Sequence, residues 1–252
     1  MSAVPASRAV LVTGASGGIG REIAARFAAA GHRVAAHYGR ARDAAERLVA
    51  GLPGDGHVAL HAELTDPDAA RGLVDEAADR FGGLDVLVNN AAAYVEQPIA
   101  ELGFDEWRAG WERVIGVNLL APAWTCWAAV RHLPPGGRIV NVSSRGAFRG
   151  EPRHPSYGAS KAALNSLSQS LAVALAPRGI MVAAVAPGYV STGMANWERM
   201  SPAERATIEA QSPFGRVARA DEVAEVVCWL ASTEAEFVSG TVVDVNGASY
   251  LR

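Results

Sequence analysis

Short apolar runs rich in valine alternate along the chain with longer stretches of helical periodicity, and no other feature constrains the fold as tightly. The first cycle is an apolar run at 9–13, a helical stretch at 19–30 and a second run at 33–38, which together read as a βαβ unit. Further strands are expected at 57–62, 85–89, 137–142, 180–186 and 241–245. Further helices are expected at 41–50, 67–81, 107–117, 122–132, 156–176 and 221–231. Asp66-Pro67 marks one helix start, the aspartate as cap and the proline at the first helical position. Seven strands separated by helices imply an α/β fold, a seven-stranded parallel sheet with helices on both faces, because right-handed crossovers place them there. Nothing in the 252 residues resembles a linker, so one domain is expected over 1–252. The stretch 190–217 is less regular and is expected to cover a site at the carboxyl ends of the strands.

Composition narrows the function. Half the residues are hydrophobic, enough for a large core, and the formal charge of -3 comes from interspersed acids and bases. There is no basic footprint for nucleic acid and no polybasic segment for anionic lipid, so neither is expected as a partner. Cys126 and Cys228 each lie in an apolar helical stretch, which argues for buried free thiols and against a disulfide framework or a metal centre. The first residues lack a basic stretch followed by a long apolar one, and a cytoplasmic protein is the expectation.

Between the first strand and its helix stands TGASGGIG, with Gly14, Gly18 and Gly20 spaced Gly-x-x-x-Gly-x-Gly. Glycines there allow a tight turn and close backbone approach, and free amides at the helix start attract a pyrophosphate. In this strand-turn-helix context the motif reads as a dinucleotide site in a doubly wound sheet of the Rossmann type. Far along the chain, YGASK puts Tyr157 and Lys161 one helical turn apart on one face. An ammonium beside a phenol is expected to stabilise the phenolate and bring its pKa down towards a useful range. Ser144, in NVSS after an apolar run, could meet the phenol and hold a carbonyl oxygen.

Taken together these motifs resemble those of the short-chain dehydrogenase/reductase family over almost the whole chain. NNAA at 89–92 is similar to the family's NNAG, Asn118 in VNLLAP to its helix asparagine, PGYVST at 187–192 to its nicotinamide loop, and VSGTVVDVNGA to its last strand. The resemblance implies a catalytic set of Asn118, Ser144, Tyr157 and Lys161. It implies that Gly14, Ser16, Gly18, Ile19 and Gly20 hold the cofactor, together with Glu63, Leu64, Asn90 and Ala91, and that Pro187, Gly188, Val190 and Thr192 contact its nicotinamide end. Lys161 and Tyr157 would also touch the cofactor, and Asn118 would hold a water joining Lys161 to solvent. Ala92, Glu63 and Gly17 depart from the family's glycine, aspartate and basic residue at those places.

At the end of the second strand, where NAD-using members place an acid, stands Tyr38, followed by Arg40, and both are expected to contact the cofactor. A guanidinium pairs bidentately with a phosphate and the missing acid removes repulsion, so NADP(H) is the expected cofactor, with Ser16 and His37 as helpers. Tyr94, Arg145, Phe148 and His154, with Tyr189, Met194 and Trp197, flank the motifs or sit in the cover and are candidate substrate contacts. They suggest an apolar or aromatic carbonyl compound or its alcohol. The tail from Ser212 resembles the 3-oxoacyl-(acyl-carrier-protein) reductase branch, so an acyl thioester is an alternative, although Gln169 and Val173 stand where carrier-docking members have basic residues. A further alternative, of another class, is an NADP-binding sensor or scaffold without turnover. The resemblance also implies a homotetramer.

Overall fold

The computed structural model describes residues 7–193 and 197–252. Seven strands form one sheet: β1 (Ala9–Val12), β2 (Arg33–Tyr38), β3 (Val58–His61), β4 (Val86–Asn89), β5 (Arg138–Val142), β6 (Met181–Pro187) and β7 (Val242–Val245). All neighbouring pairs are parallel and the order is β3-β2-β1-β4-β5-β6-β7. The chain runs outward from β1 to β3, then crosses back to β4 on the other side of β1. That reversal opens a crevice beyond the carboxyl ends of β1 and β4, where ligands bind in open α/β sheets.

The helices are α1 (Gly18–Ala29), α2 (Arg42–Gly51), α3 (Pro67–Phe81), α4 (Phe104–Ile115), α5 (Ala121–Ala129), α6 (Pro155–Leu175), α7 (Pro202–Glu209) and α8 (Ala220–Leu230). Strand periodicity divides β1 between two cores. Val10 and Val12 pack with Ile23 and Phe27 of α1 and Val223 and Val227 of α8. Ala9 and Leu11 pack with Leu73 of α3, Cys126 of α5 and Leu175 of α6. α3 begins as its sequence requires: the Asp66 carboxylate accepts from the amides of Asp68 (2.8 Å) and Ala69 (3.1 Å).

Two local differences from the sequence reading matter for the site. The helices expected at 107–117 and 122–132 are joined: α4 starts earlier, at Phe104, and passes through a π-helical turn at Gly116–Leu120 directly into α5. Pro122 has no N–H to give to the Asn118 carbonyl four residues earlier, so the ladder widens there and that carbonyl loses its α-helical donor. The expected irregular cover contains α7, whose start is a capping box: Ser201 Oγ accepts from the Glu204 amide (3.3 Å), and the Glu204 carboxylate accepts from the Ser201 amide (2.8 Å). A parallel bridge between Val190 and Ala218 pins the two ends of this excursion together. Of the two thiols, Cys126 is buried and Cys228 only half-buried. No described helix is long and apolar enough to cross a membrane.

Candidate active site

The glycine turn is held from three sides. Gly14 has φ +65°, and a Cβ there would stand 2.8 Å from Ala91 Cα. At Gly20 a Cβ would meet both Asn90 Nδ2 and the Gly14 carbonyl oxygen, so this glycine lets α1 approach the strand-end loop and does not itself line the site. Asn90 Nδ2 donates to the carbonyls of Thr13 (2.9 Å) and Gly14 (3.1 Å), and Thr13 Oγ1 accepts from the amides of Asn90 and Ala91. Gly17, which precedes α1, brings no capping side chain, and the first turn carries no acid. Open amides behind a glycine cradle fit a phosphate-bearing dinucleotide.

His37 secures this turn by a route the sequence reading missed. Its Nδ1 accepts from the Gly14 amide (3.0 Å), so its Nε2 carries the proton and donates to the Ala62 carbonyl (3.1 Å). Burial pushes its pKa down to about 4, and with both nitrogens engaged the ring positions the turn and is not free to help with a phosphate. Tyr38 is corrected as well: its ring is 8% exposed and packs against His61, and it does not line the cavity. Strand alternation explains this, since His37 and its neighbour face opposite sides of the sheet. Arg40 does line the cavity, joined by Arg113 from α4, and both lie near Glu63. The Glu63 carboxylate accepts from Thr65 Oγ1 (2.9 Å), which holds its pKa below the usual carboxylate value.

A cavity of about 1050 Å³ runs from this turn along the carboxyl ends of the strands. Its lining includes Gly14, Ser16, Gly18 and Ile19 of the turn, Leu64, Asn90 and Ala91 from the strand ends, and Pro187, Gly188, Val190 and Thr192, the last packed near Gly18. Ser144, Tyr157 and Lys161 line the same cavity. β5 ends at Val142, so Ser144 leaves the sheet there, and its Oγ accepts from the Gly146 amide (3.0 Å) beside the Tyr157 phenol. Tyr157 sits in the first turn of α6 and Lys161 one turn further in, 2% exposed, its Nζ donating to the Val142 carbonyl (2.7 Å) and lying 5.7 Å from the Tyr157 ring centre. Burial governs both: it raises the phenol to about 12 and lowers the lysine to about 7. This reverses the expected acidification of Tyr157, because desolvation outweighs the lowering by Ser144 and the Glu151 charge raises the phenol further. Asn118 is fully buried and does not reach the cavity. Its amide clamps Ala93, accepting from its N–H (2.7 Å) and donating to its carbonyl (3.0 Å), and also donates to Ser160 Oγ (3.0 Å).

On the substrate side, Tyr94, Arg145, His154 and Tyr189 line the cavity. Tyr94 stacks on His154 (3.8 Å between centroids, 12° between planes) and meets Tyr157 edge-on (4.8 Å). Arg145 is fixed by Ser249 Oγ (2.7 Å) and Gln211 Oε1 (2.9 Å) and faces the Tyr189 ring. Phe148 is corrected: it packs with Ala184, Ala186 and Val242 under the Arg252 guanidinium, away from the cavity. Trp197 also lies off the lining, under Arg205, and Met194 falls outside the described residues. The sequence reading missed Arg113, Glu151 and, from the cover, Arg199, Met200 and Glu204. For Arg113 a signal existed, since Val117, in the π-helical turn that continues α4, follows it by about one helical turn and both line the cavity.

A switch-point crevice, a glycine turn and a serine, tyrosine and lysine gathered beside it define a dinucleotide-binding oxidoreductase. The family model described as enoyl-(acyl carrier protein) reductase matches residues 14–248. The chain is 41% identical over 248 residues to cis-4-hydroxycyclohexanecarboxylate dehydrogenase of Sinomonas cyclohexanicum, covering 96% of each chain. Among solved structures it resembles a short-chain dehydrogenase from Burkholderia cenocepacia in complex with NADP (TM-score 0.85, 36% identity, 96% of this chain and 97% of that one). It also resembles the angucycline C-6 ketoreductase LanV with bound NADP (TM-score 0.86, 36% identity, 95% and 94%). The chain belongs to the short-chain dehydrogenase/reductase family.

Proposed function

We propose that this oxidoreductase interconverts a ring-borne carbonyl and its alcohol with NADP(H), using Tyr157 as general acid and base. The observation that carries the reading is the convergence of Ser144, Tyr157 and Lys161 in one cavity with the glycine turn. Gly14, Gly18 and the amides at the start of α1 would hold the pyrophosphate, and Arg40 with Arg113 the 2′-phosphate, in keeping with the NADP complexes of two relatives in structure. When bound, the nicotinamide supplies or accepts the hydride.

Ser144 Oγ donates a hydrogen bond to the substrate oxygen and fixes its place beside the phenol. In reduction, Tyr157 gives its proton to the oxygen as negative charge develops there. A phenol raised to about 12 keeps that proton at neutral pH. Lys161 stabilises the resulting phenolate, and a water between Lys161 and the Asn118 carbonyl freed by Pro122 would renew the proton. A ring substrate suits the flat Tyr94–His154 wall and accords with the ring alcohol named in the curated relative. Val173, 79% exposed on α6, gives no positive charge for an acyl carrier. Retention of the whole catalytic set favours turnover over a sensor role.

The test follows consumption of NADPH or NADH with a panel of cyclic ketones. Tyr157→Phe is expected to lower turnover about a thousandfold while NADPH still binds; retained turnover would remove Tyr157 as the acid. Arg40→Ala is expected to raise KM for NADPH roughly tenfold and leave NADH little changed. Equal effects on both cofactors would move the phosphate site elsewhere.

A further inference from the structure

Glu151 lies in the loop between β5 and α6, in a turn closed by the His154 amide donating to its carbonyl (2.9 Å). Its side chain packs beside two glycines, one just after Ser144 and one just after Tyr157. A Cβ at Gly146 would stand 3.1 Å from both Glu151 Cγ and Oε1, and one at Gly158 would stand 3.8 Å from Cγ. Gly146 follows Ser144 by two residues and Gly158 directly follows Tyr157, so the Glu151 side chain lies beside the backbone that carries both residues.

The other carboxylates on the cavity wall already have partners: Glu63 bonds Thr65, Glu96 pairs with Arg153, and Glu204 bonds Ser201. Glu151 has no hydrogen-bond donor among the described residues. The nearby Arg145 guanidinium is taken by Ser249 and Gln211, and Arg149 also reaches Gln211 (3.4 Å). Burial therefore raises the Glu151 pKa despite the pull of both arginines. Half-buried on the cavity wall, the carboxylate is open to water; a ligand that displaces that water must bring a donor in its place, and a ligand lacking one is penalised.

We infer that Glu151 sets substrate specificity by accepting a hydrogen bond from a hydroxyl on the substrate ring, so that hydroxylated cyclic ketones are selected over their deoxy counterparts. The inference rests on the carbonyl-reductase reading above. It goes beyond it in naming a second polar group that the substrate must carry.

The experiment measures NADPH-dependent kcat/KM for cyclohexanone, its three ring-hydroxylated isomers and the matching methoxy ketones, with wild type, Glu151→Gln and Glu151→Ala. The methoxy compounds match bulk but lack the donor. Wild type is expected to favour at least one hydroxyketone over both cyclohexanone and its methoxy analogue by roughly ten- to hundredfold, the worth of one hydrogen bond to a charged acceptor. Glu151→Ala is expected to bring that ratio close to one, and the near-isosteric Glu151→Gln to an intermediate value. A wild-type ratio near one, or a ratio unchanged in both variants, overturns the inference while ketone turnover leaves the reductase reading standing. No turnover of any ketone by wild-type protein that binds NADPH overturns the reductase reading itself, and the inference with it.

Discussion

His37 shows how much a single side chain decides at this site. It must be neutral to accept from Gly14 and donate to Ala62, and its pKa is pushed down to about 4 from an unfolded value of 6.5. Between those values the unfolded chain binds a proton that the folded chain does not, so stability rises with pH through this window and is lost as pH falls from 6.5 towards 4. The gap corresponds to up to about 3 kcal/mol. Thermal melts of the ligand-free protein should therefore fall more steeply over that range in wild type than in His37→Gln, which cannot titrate. Parallel pH profiles would show that the ring is protonated in place. At this scale the sequence was legible in which groups would meet, as for Tyr157, Lys161, Ser144, Gly14 and Gly18, which line one cavity. It was misleading at His37 and Tyr38, because which neighbour on a strand faces the ligand depends on a parity that the motif does not state.

Elements were legible where local signals agree with packing. Asp66-Pro67 starts α3 at the expected residue and Gly82, in the left-handed region, ends it. α7 was missed because its apolar content is low, although Ser201 and Glu204 spelled a capping box. The π-turn was missed because Pro122 reads as a new helix start, whereas the chain continues through it. The junction of α1 with the glycine turn yields a paired prediction. Gly20→Ala places a methyl against Asn90 Nδ2 and the Gly14 carbonyl, both already bonded to each other. Gly17 is extended, and a Cβ there has no neighbour within 4 Å. Gly20→Ala should cost about 1–3 kcal/mol, lowering Tm by roughly 2–10 °C, with Gly17→Ala within about 1 °C of wild type. Equal melting temperatures would mean that α1 can shift without loss, and that the close approach is not what requires glycine at 20.

Across the whole molecule the sheet and its switch point follow from the alternation of apolar runs and helices, while the association of chains does not. On the face of the sheet covered by α5 and α6, large apolar side chains remain outside the core: Leu120 is 41% exposed, Trp127 54% and Val173 79%. Nearby, Trp111 Nε1 of α4 and both amide atoms of Asn165 of α6 are buried without hydrogen-bond partners. An exposed tryptophan and valine on neighbouring helices are what a chain buries against copies of itself, and closed symmetry would pair like helices about a two-fold axis. With the tetramer that the family resemblance implies, light scattering should give about four times the 26.3 kDa of the chain. Trp127→Glu, which puts a charge into that contact while leaving the core untouched, should lower the mass to a dimer or monomer without lowering helix content. A monomeric wild type would show that these side chains are ordinary exposed surface, and a tetramer indifferent to Trp127→Glu would place the contact on another face.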